Sequence, residues 1–420
     1  MALGGIPPGF GGEAAAASRE PARVTLLWLP PGTTVAELAE GGFSPGLMSP
    51  GLGAVPAQQT YLDISQGNRV FDSLYDESLP PLTRECEPWQ EEVTKRAESA
   101  PAEIVPLLLF ASLRKSGVFV FSEGPWSCAF GEASGVGIGP AVNGAFWVNP
   151  GSLAAARAAV RRLRPDDLLI AIARPTGRDD DPLPIGIAGR GFDGDLISDS
   201  TRTDGYVLST DVAPTILDHF GVDVPSEMSG EAIRAEGSVD PAAIESLGAR
   251  MGVIGHRRGP VIGWSLLAWL GLLALAVAAG RGRLARPAVR LTGLAIVYMP
   301  LLMLLGAALE PSEGAEVLLI LLGAPALGAL TLVLLRDYRA LAVAAGLTVL
   351  AYAVDVIAGS PLTSLSLLGP NPGLGVRFYG IGNELEALLA VLVVAGTGTA
   401  LAGYAPAASR ERSAAAFLLV

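Results

Sequence analysis

From residue 259 onward the chain is a series of apolar runs, each about 20 residues long, the length a helix needs to cross the hydrocarbon core of a bilayer. That sets the architecture. Such runs have no place in an ordinary globular domain of this size, and together they predict an all-α transmembrane bundle. Expected spans fall at about 260–280, 288–309, 315–335, 340–358 and 385–404, with a partial one from 413 to 420. Half of the whole chain is hydrophobic (50%) and only 17% is charged, but most of the charge lies before residue 259. The chain therefore divides into a polar first part and a membrane part.

Basic residues give the bundle an orientation, because Lys and Arg accumulate in cytoplasmic loops. Arg281, Arg283, Arg286 and Arg290 follow the first span, Arg336 and Arg339 the third, and Arg410 and Arg412 the fifth. The alternate loops carry Glu310, Glu313 and Glu316, and then the long segment 359–384. This pattern places the N-terminal part outside the cytoplasm, with Arg257 and Arg258 on the side that the rule disfavours. The net charge of −12 argues against nucleic acid as a partner. The expected partner is the lipid bilayer, together with an envelope lipid or glycan.

Residues 1–22 are rich in Gly, Ala and Pro and read as a disordered segment without a signal peptide's apolar core. Export of the following domain is then expected to depend on the later spans, or on sequence beyond a chain that reads as a fragment at both ends. Residues 23–235 read as one α/β domain, and 236–258 as a linker into the membrane. Val24–Leu29 and Leu168–Ala173 are continuous apolar runs, the signature of strands buried on both faces. Val118–Phe121 and Leu183–Ala188 are further strands. Thr33 or Thr34 caps a short helix reaching Glu40, Ala102–Lys115 and Ser152–Arg164 are helices, Gly41–Pro56 and the acidic stretch 72–100 read as loops, and Thr60–Asn68 is ambiguous. Alternation of buried strands with helices predicts a mainly parallel sheet with helices on both faces. Cys86 and Cys128 are the two cysteines. A disulfide between them suits an extracytoplasmic domain, and two free thiols are the alternative.

Within the domain, Asp204–Gly230 has the clearest local grammar: DGYVLSTDVAPTILDHFGVDVPSEMSG. Tyr206–Leu208 ends a strand. Ser209, Thr210 and Asp211 offer oxygens to cap a helix, Pro214 suits its first turn, and Gly221 stops it. The run Thr210-Asp211-Val212-Ala213-Pro214-Thr215-Ile216-Leu217, followed by Phe220-Gly221-Val222 and Pro225, resembles a segment of the alkaline phosphatase superfamily. Sulfatases and phosphopentomutase-like enzymes carry similar wording near the end of their core. The direct resemblance covers about 30 residues, and the layout extends it over the first 240 or so. It implies an α/β core whose strand ends hold one or two divalent ions on Asp and His, beside a Ser, Thr or modified Cys nucleophile.

Set against that expectation, the chain lacks the side chains. The first strand runs into Pro30-Pro31 where the resemblance calls for an Asp, and Leu168–Ala173 runs into Arg174-Pro175 where it calls for an Asp-His pair. Thr60, in the segment resembling the nucleophile helix, reads as an ordinary structural residue. Asp179, Asp180 and Asp181 read as a solvated acidic turn. The only histidines are His219, inside the capped helix, and His256, at the membrane boundary, too few for a multi-His zinc site. No metal, no cofactor and no catalytic residue is expected.

A second informative stretch lies between two spans: Gly369-Pro-Asn-Pro-Gly-Leu-Gly-Val-Arg-Phe-Tyr-Gly-Ile-Gly-Asn-Glu384. It resembles a segment of multi-spanning envelope proteins that carry such a phosphatase-like domain. Arg377, Tyr379, Asn383 and Glu384 put polar groups at the membrane edge, where they are costly unless paired or used. They are the candidate binding residues, against the reading of an ordinary loop capped by Asn383 and Glu384. Asp355 lies inside the fourth span, with Arg377 as its candidate partner. The leading expectation is an integral membrane protein whose phosphatase-like domain has lost catalysis and binds or scaffolds in the envelope. The alternatives are an active metal-dependent phospho- or sulfo-ester hydrolase, and a transporter-like bundle with an accessory domain.

Overall fold

The computed structural model describes residues 21–83, 85–131, 143–280, 284–335 and 338–404. The disordered segment expected over 1–22 lies outside them up to residue 20. So do the partial span from 413 and the side chains of Arg281, Arg283, Arg336, Arg410 and Arg412.

Eleven strands occur among the described residues: β1 (Arg23–Leu29), β2 (Ser44–Ser49), β3 (Val55–Pro56), β4 (Val118–Ser122), β5 (Gly144–Pro150), β6 (Leu168–Ala173), β7 (Arg178–Asp179), β8 (Leu183–Ala188), β9 (Asp195–Ile197), β10 (Tyr206–Leu208) and β11 (Arg234–Glu236). Seven of them form one sheet in the order β10-β2-β8-β6-β1-β5-β4. β1, next to the central β6, pairs in parallel with β5 and β6. Its alternation sorts two cores. Val24, Leu26 and Trp28 enter one cluster, and Leu27 and Leu29 the other. Helices α2 (Ala57–Gln66), α4 (Leu108–Lys115) and α6 (Val212–His219) cover the first face; α1 (Val35–Glu40) and α5 (Leu153–Val160) cover the second.

The sheet is mixed rather than wholly parallel, since β8 runs antiparallel to both β6 and β2. The connection 174–182 is too short for the crossover of a dozen or more residues that a parallel return requires. Several elements depart from the sequence reading. The helix expected over Ala102–Lys115 begins only at Leu108, and the one expected over Ser152–Arg164 ends at Val160. The loop expected over Gly41–Pro56 contains β2, buried at every position between β10 and β8. Pro45 and Gly46 demote that stretch as a strand, yet a Cβ at Gly46 would come to 3.0 Å from Leu196, a tight approach that glycine relieves. The acidic stretch contains α3 (Cys86–Glu98), whose Trp89, Val93, Arg96 and Ala97 form a buried stripe at helical spacing. Gly144–Pro150, to which the sequence reading gave no element, is a strand. The ambiguous segment around Thr60 is helical.

The expected linker is helical from Pro241 onward. Helix α7 (Pro241–Gly280) is continuous over 40 residues, about 60 Å at 1.5 Å per residue, roughly twice a bilayer's hydrocarbon thickness. Its first half lies on the α/β domain, where Ile244 and Met251 pack with Leu47, Tyr206 and Phe378. Its second half enters the bundle with α8 (Ala285–Leu309), α9 (Glu313–Leu334), α10 (Tyr338–Ile357) and α11 (Asn383–Tyr404). These five helices are long and apolar enough to cross a membrane. They display large apolar side chains outward, such as Leu272, Val333 and Ile357, as a lipid-facing surface does. Pro325 interrupts α9 and cannot donate to Leu321 O; Trp269 Nε1 of α7 donates to that oxygen instead, at 3.0 Å.

Candidate functional site

The stretch 204–230 folds as strand, 3₁₀ turn and helix: β10, then Ser209–Asp211, then α6. Asp211 does not cap α6, contrary to the sequence reading. Its carboxylate turns back and accepts four hydrogen bonds: from Ser198 Oγ (2.6 Å), Ser200 Oγ (2.6 Å), Leu208 N (2.8 Å) and Glu231 N (3.0 Å). Thr215 Oγ1 donates to Asp211 O and accepts from Ile233 N. These residues tie four segments into one buried knot. Burial drives the Asp211 pKa up, and the four donors oppose the rise. His219 contacts Asp166 O through Nε2 at 3.1 Å.

At the carboxyl edge of the sheet, the ends of β1 and β6 meet through Arg174, whose Nε donates to Leu29 O at 3.3 Å. Thr60 is fully buried in α2, and its Oγ1 has no hydrogen-bond partner. One turn on, Asp63 is also fully buried. Its Oδ1 accepts from Gln59 Nε2 (2.7 Å) and Gln66 Nε2 (3.2 Å). Burial raises the Asp63 pKa to about 8, against the pull of the amide donors and of Arg69 and Arg96. Asp180 and Asp181 are exposed. Among the described residues no group of three or more His, Cys, Asp or Glu side chains is placed to hold a metal ion. Cys86, at the start of α3, and Cys128 form a disulfide.

The stretch 369–384 is not a free loop. It docks on the α/β domain through backbone contacts that leave no room for a Cβ. Gly375 (φ +73°) lies against Gly51 O, and Arg69 Nη2 donates to Gly375 O at 2.6 Å. Arg69 Nη1 reaches Ser49 Oγ and Gly51 O, and Gly53 N donates to Leu374 O at 2.9 Å. Phe378 is buried, with its ring 5.4 Å from that of Tyr206. The two stretches singled out in the sequence thus touch each other directly, through Tyr206 of one and Phe378 of the other.

Their junction opens into a cleft of about 1080 Å³. Arg377 and Tyr379 line it. Arg377 Nη1 donates to Ile381 O (2.7 Å), and the Tyr379 ring lies under the Arg202 guanidinium at 4.6 Å. Asn383 and Glu384 are not part of the lining: Asn383 opens α11, and Glu384 pairs with Arg258 at 3.4 Å. The Asp355–Arg377 pairing does not form. The Asp355 carboxylate accepts from Leu362 N (3.1 Å) and Thr363 N (2.6 Å), free donors just past the end of α10. Sequence reasoning missed Asn68, Arg69, Arg202 and Glu386, which also line it. Arg202 carries a backbone signal, φ +51°, unusual for a residue with a side chain, but nothing in its sequence context announces it.

Beside this junction, Glu316 is fully buried between two arginines of α7. Arg250 Nη2 lies 2.8 Å from Oε1 and Arg257 Nη1 lies 3.0 Å from Oε2. Arg250 Nε also donates to Leu365 O. The chain matches no protein-family model and no curated protein. Fold and composition together define a multi-pass membrane protein: a mixed, mostly parallel α/β sheet domain continuous with five apolar helices.

Proposed function

We propose that the α/β domain stands outside the cytoplasm as a non-catalytic module of phosphatase-like ancestry, and that it binds or scaffolds a component of the cell envelope where it meets the membrane. The observation that carries this reading is the docking of 369–384 onto β10 and Arg69. It builds a cleft out of the domain and the membrane part together, a place for a ligand that both must touch. Thr60, the hydroxyl in the segment that resembles the nucleophile helix, is sealed from solvent. Asp211 spends its carboxylate on four structural hydrogen bonds.

The extracytoplasmic placement is supported by the disulfide, which an oxidising compartment preserves. Charge supports it too. Arg257 and Arg258, which oppose the positive-inside pattern, are each paired with a glutamate, which weakens their vote. Protease treatment of right-side-out vesicles should remove the domain without permeabilisation.

The direct test of the non-catalytic reading uses the full chain in detergent with an aryl phosphate or aryl sulfate, plus zinc, magnesium or manganese. Turnover at the buffer rate is expected. Turnover that disappears on Thr60→Ala, or on replacement of Asp179, Asp180 and Asp181 together, would establish the hydrolase reading instead.

A further inference from the structure

The cleft at the junction holds three guanidinium groups, from Arg69, Arg202 and Arg377. Elsewhere in the described chain Arg96, Arg157, Arg164, Arg234, Arg250, Arg257 and Arg258 each pair with a carboxylate. The three cleft arginines make no such pair. Arg69 is fixed by neutral oxygens of Ser49, Gly51 and Gly375. The buried carboxyls of Asp63 and Asp211 act on it through space, without ion-pair contact. Arg202 stacks on Tyr379, and its backbone occupies the left-handed region, which an L-residue enters at a cost. Arg377 uses one nitrogen on Ile381 O and is otherwise exposed. Of the acids lining the cleft, Asp199 is taken by Arg234 at 2.9 Å, and Glu231 and Glu386 are exposed.

Position adds a second constraint. The cleft is walled by the segment that leads straight into α11, a candidate membrane span, and Glu386 belongs to the first turn of that helix. The same wall presents Val376 and Tyr379, both exposed and large. Unpaired guanidiniums next to exposed apolar groups, at the mouth of a membrane span, match a molecule with a phosphate at one end and hydrocarbon at the other.

We propose that this cleft binds a phosphate monoester or diester group, with Arg202 and Arg377 as its ligands and Arg69 positioning the loop that carries Arg377. The proposal rests on the binding-module reading above and gives that ligand its chemistry. Arg202 belongs to the α/β domain and Arg377 to the segment leading into α11, so an occupant held by both would bridge the domain to the membrane segment. An anionic lipid headgroup and a free phosphate ester share this chemistry, and the experiment separates them.

The full chain in phosphatidylcholine nanodiscs is titrated by calorimetry with dihexanoyl phosphatidic acid, dihexanoyl phosphatidylcholine and inorganic phosphate. Saturable binding of the phosphatidic acid is expected, weakened at least about tenfold in Arg202→Gln and in Arg377→Gln, the loss of one charge-assisted hydrogen bond each. Arg377→Lys should recover part of it. Both side chains are exposed, so melting temperatures of the variants should stay at the parent value and exclude misfolding as the cause. Tight binding of the phosphatidic acid alone assigns the site to a lipid headgroup; equal affinity for inorganic phosphate assigns it to a soluble phosphate. Binding that is unaffected by either substitution, or absent for both anions, overturns the proposal. Aryl phosphate turnover is read on the same samples, so failure of the non-catalytic reading would show separately.

Discussion

The α/β domain and the membrane boundary bury carboxylates in different ways. Inside the domain, Asp211 and Asp63 sit with hydrogen-bond donors and no cation in ion-pair contact: two serine hydroxyls and two backbone N–H groups for Asp211, two glutamine amides for Asp63. At the boundary, Glu316 is clamped by two arginines. The difference follows from what each neighbourhood can offer. Loops and strand ends in the domain have spare backbone donors. The facing helix α7 has none to spare, because its N–H groups are used along its own axis, and it supplies the guanidiniums of Arg250 and Arg257 instead, as α2 supplies side-chain amides to Asp63. Asp355 fits the same rule from the other side: past the end of α10 free N–H groups reappear, and two of them hold it.

The largest effect is expected where that rule leaves no alternative. Glu316→Ala strands Arg250, buried to 3% side-chain exposure, beside a second cation. It should cost about 3–5 kcal/mol, read as a loss of thermal stability of the full chain in detergent. A cost near zero would show that the boundary does not depend on charge pairing. The domain, by contrast, has a covalent tie, and replacing Cys86 and Cys128 together with Ser should destabilise it by about 2–4 kcal/mol. Calorimetry of the full chain should show the domain transition move while that of the bundle stays.

Asp63 sharpens the comparison through pH. Its folded pKa, about 8, stands above the ordinary 3.8. The folded state therefore holds a proton that the unfolded state releases, and the contribution to stability is full below pH 4 and lost as pH rises through 8. Asp63→Asn resembles the protonated form and should flatten the fall in melting temperature between pH 4 and 8. An unchanged slope would mean that Asp63 is ionised in the fold. The smallest effect concerns helix ends. Thr34 and Glu37 form a reciprocal capping box on α1, and Thr34→Ala should cost about 1 kcal/mol. Ser312 precedes α9 without a side-chain cap bond, so Ser312→Ala should stay within about 0.5 kcal/mol.

Legibility in the sequence followed how local the signal was. β1 and β6 are read from apolar runs with the bounds found in the structure to within a residue. A cap at Thr33 or Thr34 is read because capping is settled within four residues, and the structure selects Thr34. β2 was invisible because its Pro45 and Gly46 look like a loop, and only burial between β10 and β8 makes them a strand. In the site, Arg377 and Tyr379 stood out because polar groups beside an apolar span demand an explanation. Arg69 and Arg202 did not, since an arginine in a polar loop needs none until its partner is known.

By itself the sequence determined the division into an α/β domain and five apolar helices, because hydrophobic length and period are properties of consecutive residues. It also marked the stretches 204–230 and 369–384. Only the tertiary structure decided that these two meet, that Asp211 turns away from its helix to tie β10, and that Asp355 is held by backbone rather than by Arg377. Each of those outcomes depends on which groups from distant parts of the chain compete for one buried donor or acceptor, and that competition is resolved in space.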